Sequence, residues 1–76
     1  MSIIPVLKFR ELIAVLLKAG FRIVRQTGSH VILRHSYDVT RHTVVPFHNK
    51  DIPRFLLTRI LKQAKITVQQ FLKLLQ

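Results

Sequence analysis

The strongest constraint on the fold lies between residues 21 and 45. Phe21–Gln26, Ser29–His35 and Thr40–Val45 are rich in β-branched and aromatic residues. Such residues fit a pleated, half-buried surface. Only short turn-like stretches separate them, Thr27-Gly28 and Ser36–Val39. Contiguous strands with short connections make an antiparallel meander the simplest architecture. Pro46 ends the third strand, because proline has no donor for the ladder.

Helical periodicity flanks this run. Phe9, Leu12, Ile13, Leu16 and Leu17 follow the i, i+3, i+4, i+7, i+8 spacing of a core-facing stripe, which predicts a helix over Lys8–Ala19. Gly20 is its expected stop, and Lys18 suits the negative end of the helix. Pro53 suits a helix first turn. Phe55, Leu56, Ile60, Leu61 and Ala64 then mark a second helix to about Ala64. Thr67, with Gln70 three residues on, reads as a capping box for a last short helix carrying Val68, Phe71, Leu72 and Leu75. The expected order is α-β-β-β-α-α, an α+β fold in a single domain over residues 1–76.

Composition narrows the function. The chain has 76 residues, of which 49% are hydrophobic, too many for disorder. Thirteen Lys and Arg against three acidic residues give a net charge of +10. That excess calls for a polyanion or an acidic protein surface as partner. The last third has no acidic residue beyond Asp51 but holds Arg54, Arg59, Lys62, Lys65 and Lys73. With no cysteine, a disulfide framework, a thiolate zinc site and a cysteine nucleophile are all excluded. No apolar run approaches the roughly 18 residues of a membrane span, and no signal peptide opens the chain. A cytoplasmic protein is expected. The only glycines are Gly20 and Gly28, so no glycine-rich nucleotide loop exists.

Four histidines stand out: His30, His35, His42 and His48. A metal site is disfavoured, because His30 and His35 are an odd number apart and point to opposite faces of one strand. No metal or other cofactor is expected. Acid-base chemistry on RNA needs less. A base takes the 2′-hydroxyl proton, an acid protonates the leaving 5′-oxygen, and a cation steadies the phosphate. Histidine suits both proton roles, and arginine binds phosphate with its planar fork. With a Thr27-Gly28 loop, Arg25 lies opposite His30, Ile23 opposite Ile32, and Phe21 opposite Arg34. The other face then holds Val24, Val31 and Leu33, with Gln26, Ser29 and His35, and is assigned to the core. The second turn places His30 near Pro46, Phe47 and His48. On spacing alone, a surface histidine without chemistry remains the simpler reading.

Several stretches carry a family resemblance: Leu17-Lys18-Ala19-Gly20-Phe21, Val24-Arg25-Gln26-Thr27-Gly28-Ser29-His30, Thr43-Val44-Val45-Pro46-Phe47-His48, Ile60-Leu61-Lys62-Gln63-Ala64 and Ile66-Thr67-Val68-Gln69-Gln70-Phe71. In this order the chain resembles the HicA toxins of HicA–HicB toxin–antitoxin pairs. The resemblance implies a double-stranded-RNA-binding-domain-like fold and metal-independent mRNA cleavage, with His30 as the catalytic residue. It also implies a HicB-like antitoxin that covers the site, with no direct DNA binding expected from this chain. Arg25, Gly28, Ser29, Arg34 and His48 are the expected RNA and phosphate contacts. Leu7-Lys8-Phe9 and Ala64-Lys65 depart from the family pattern at helix caps, away from His30. A non-catalytic double-stranded RNA binding module is the alternative; it would bind duplex RNA with steep salt dependence and leave it intact. A pure interaction protein with an acidic partner is the third.

Overall fold

The computed structural model describes residues 4–47 and 50–75. The elements are α1 (Phe9–Lys18), β1 (Phe21–Thr27), β2 (His30–His35), β3 (His42–Pro46), α2 (Arg54–Ala64) and α3 (Val68–Leu74). This is the α-β-β-β-α-α order expected from the sequence. The strands form one antiparallel sheet in the order β1-β2-β3.

Each helix end has a local cause. Ahead of α1, Glu11 Oε1 accepts from the backbone N–H of Lys8 at 2.9 Å, which does the work of half a capping box. At α3 the box is complete: Thr67 Oγ1 accepts from Gln70 N, and Gln70 Oε1 accepts from Thr67 N. Past α2, Lys65 takes the left-handed conformation at φ 57, a position usually given to glycine. Its backbone N–H donates to Lys62 O and its ammonium to Thr40 Oγ1.

The core lies between the helices and one face of the sheet. Leu12 and Leu16 of α1, Leu33 and Val45 of the sheet, Leu57 and Ile60 of α2 and Phe71 of α3 are almost fully buried. Each such side chain contributes roughly 1.5–3 kcal/mol through apolar burial. Thr43 is the one buried polar side chain among the described residues, and its hydroxyl donates to Gln63 Oε1 at 2.7 Å.

The hairpin register corrects the sequence reading. β1 continues through Thr27, and the loop is Gly28-Ser29, with Thr27 opposite His30. Gly28 has φ +47 at the first loop position, and Ser29 has no positive φ. A Thr27-Gly28 loop of the usual I′ kind would force β-branched Thr27 to positive φ, whereas Gly-Ser meets the II′ pattern at no such cost. Arg25 therefore faces Ile32 rather than His30. Val24 is an extra residue between the Ile23–Leu33 and Arg25–Ile32 pairs. This bulge re-aims the start of β1. Phe21 is buried opposite His35, while Val24 and Gln26 are exposed. Val31 and Leu33 are core residues, as expected.

Candidate active site on the open sheet face

The helices cover the face of Val31, Leu33, Thr43 and Val45. The opposite face is open. Register and exposure place three cross-strand rows on it: Thr27, His30, Pro46; then Arg25, Ile32, Val44; then Arg22, Arg34, His42.

His30 opens β2, the central strand, so its backbone is flanked by strands on both sides. Its partner on β3 is Pro46, within the stretch where the second turn places it. One residue beyond, Phe47 N donates to Ser29 O at 2.6 Å, which closes this end of the sheet. The imidazole itself is exposed. Its one side-chain hydrogen-bond contact among the described residues is Nδ1 to Ser29 Oγ at 3.4 Å, a long one. Which of the two atoms donates depends on the tautomer, so Nε2 can present either a lone pair or a proton.

Gly28 gives this end its shape. A Cβ built there would meet nothing within 4 Å, so glycine is required by its φ and the space beside it is free. Arg25 lies diagonal to His30 across the hairpin, where such positions are roughly 7–8 Å apart. An arginine spans that gap. The structure thus gathers Arg25, Gly28, Ser29 and His30.

Arg34 shares the face of His30 but stands four residues along β2, about 13 Å away at the strand rise of roughly 3.3 Å per residue. It belongs with Arg22 and His42. His48 lies outside the described residues. The sequence reading gave no role to Arg22 and His42 at the site. His42 was legible only to within a few residues, since the second turn placed His30 near Pro46 to His48 without fixing the register that sets His42 opposite Arg34. Arg22 was not. It stands three positions before Arg25, which in a regular strand means opposite faces, and only the Val24 bulge brings both to one face. An aromatic pair also stands at the His30 end: the rings of Phe9 and Phe47 meet edge to face at 5.1 Å, with Phe47 53% exposed.

His35 and His30 lie on opposite sheet faces, as their odd spacing requires. Among the described residues no three of His, Asp and Glu gather in one place, and no helix is long and apolar enough to cross a membrane. No curated protein matches the chain. A family model described as the HicA toxin of bacterial toxin-antitoxin matches residues 9–66.

Proposed function

The chain belongs to the HicA toxin family, a toxin of a bacterial toxin–antitoxin pair, and we propose that it is a metal-independent endoribonuclease that cuts mRNA at His30. The carrying observation is the exposed His30 imidazole, fixed on the central strand beside an unobstructed glycine turn, with Arg25 on the diagonal.

The chemistry follows from these groups. The 2′-oxygen of the substrate attacks the adjacent phosphorus and loses its proton, the bond from phosphorus to the 5′-oxygen breaks, and that oxygen gains a proton. The products are a 2′,3′-cyclic phosphate and a 5′-hydroxyl. His30 Nε2 serves one of the two proton transfers. Ser29 Oγ stands beside Nδ1 and can pair with it in either tautomer. Arg25 steadies the charge that grows on the non-bridging oxygens. His48, which lies outside the described residues, is assigned an assisting role in this reading. A HicB-like antitoxin with an acidic surface would cover this end of the sheet, matching the net charge of +10. mRNA as substrate places the action in the cytoplasm.

RNA cleavage in the presence of EDTA, comparing the wild-type chain with His30→Ala, tests the reading. Loss of the histidine should slow cleavage about 10²–10⁴-fold, the usual worth of a positioned general acid or base. The wild-type products should end in 2′,3′-cyclic phosphate. Equal cleavage by His30→Ala sinks the assignment. Intact RNA with a salt-sensitive gel shift for both proteins transfers the case to a non-catalytic RNA binding module.

A further inference from the structure

The far row of the open face poses a physical problem. Arg22, Arg34 and His42 stand directly opposite one another on three adjacent strands, and all three are exposed. Arg22 and Arg34 are like charges in facing positions, which destabilises a sheet. The chain has only three carboxylate side chains to offset them, and each is used elsewhere. Glu11 caps α1, Asp38 accepts from Thr40, and Asp51 lies 3.8 Å from Lys8 Nζ. The row therefore has no counter-charge from the side chains of its own chain.

We propose that Arg22, Arg34 and His42 form a phosphate anchor for single-stranded RNA, about 13 Å along the strand from His30. The inference rests on the reading that RNA is cut at His30, and it adds the form and path of the substrate. Between the two ends lie Ile32 and Val44, with Val44 41% exposed. This apolar strip, flanked by Arg25, suits the faces of unstacked bases. A duplex presents phosphates and sugar hydroxyls on its outside and has no base faces to lay on such a strip. A single strand supplies both: phosphates at the two polar rows and bases on the apolar one.

Binding of 2′-O-methyl oligoribonucleotides tests this, because they lack the nucleophile and stay intact whatever His30 does. Fluorescence anisotropy is read against salt for the wild-type chain, Arg22→Gln/Arg34→Gln and His42→Gln. The double variant should bind a long single strand roughly tenfold more weakly, and its salt slope should fall by about 1.4, near 0.7 for each lost contact to a single strand. The loss should vanish for a dinucleotide, which does not span the distance. Thermal stability of the free chain should hold or rise, since repulsion has been removed, whereas a structural role would lower it. An unchanged salt slope overturns the anchor. So does a preference for duplex over single strand that the double variant abolishes. Unchanged RNA binding together with lost binding of polyglutamate gives the row to an acidic protein surface and also overturns it. Failure of cleavage at His30 is read separately, in the His30→Ala assay.

Discussion

The two ends of β2 each carry a histidine, and each histidine has a glycine beside it. At one end, His35 is bound on every side. Its Nδ1 accepts from the backbone N–H groups of Tyr37 and Asp38 at 3.2 and 3.0 Å. Its ring lies edge-on to Phe21 at 5.3 Å and to Tyr37 at 6.2 Å. A Cβ on Gly20, at φ +98, would stand 3.0 Å from its Nε2. At the other end, His30 has one long contact and Gly28 has empty space. The residue type is the same and the strand is the same. Parity along the strand sends one ring inward to organise a turn and leaves the other exposed on the open face.

Substitution at the glycines should separate the ends most. Gly20→Ala combines a strained positive φ with a contact that His35 must yield to. We expect a loss of about 2–4 kcal/mol, read as a lower denaturant midpoint at constant slope. His35→Ala comes next. It strips two backbone N–H groups of their acceptor and removes the edge contact with Phe21, for about 1–3 kcal/mol, with RNA cleavage per folded molecule retained. Gly28→Ala meets no steric obstacle, so only the left-handed backbone is charged against it, about 1 kcal/mol. If Gly28→Ala proves as damaging to the fold as Gly20→Ala, the contrast between the ends is false.

The contrast also explains what was legible in the sequence. Helix stripes, the meander and the placement of His30 near the end of the third strand were readable, because periodicity and two short turns determine them. The opposition of His30 and His35 followed from parity alone. The Arg25–His30 pairing failed on one residue of register. Both Thr27-Gly28 and Gly28-Ser29 look like turn dipeptides, and the choice rests on which loop position glycine occupies. The Val24 bulge has no sequence signal of its own, yet it decides that Phe21 is core and that Arg22 faces outward. The left-handed conformation of Lys65 was only half legible: the departure at Ala64-Lys65 marked a helix cap, but a lysine does not itself signal positive φ, and its ammonium on Thr40 is seen only in the structure.

Acid offers the mildest way to divide the two ends. Beside His35, the turn is held by Asp38, whose Oδ1 accepts from both the N–H and the hydroxyl of Thr40, at 3.0 and 2.6 Å. These bonds, helped by the charges of Lys65 and Arg41, hold the Asp38 carboxyl below its ordinary 3.8. A carboxylate whose pKa falls on folding binds fewer protons in the native state than in the unfolded one. Its contribution is complete above the unfolded value and disappears as pH falls through the folded one. Asp38 is only half-buried, so solvent still screens the effect and it should be small. Thermal midpoints of the wild-type chain and Asp38→Asn should therefore differ at neutral pH and converge below about pH 4. No carboxylate lies in the rows around His30, so removing Arg25 or Ser29 should leave that acid response unchanged. A gap that persists at low pH would show that Asp38 acts on the turn through its shape rather than its charge, and the His35 end would then owe its order to packing alone.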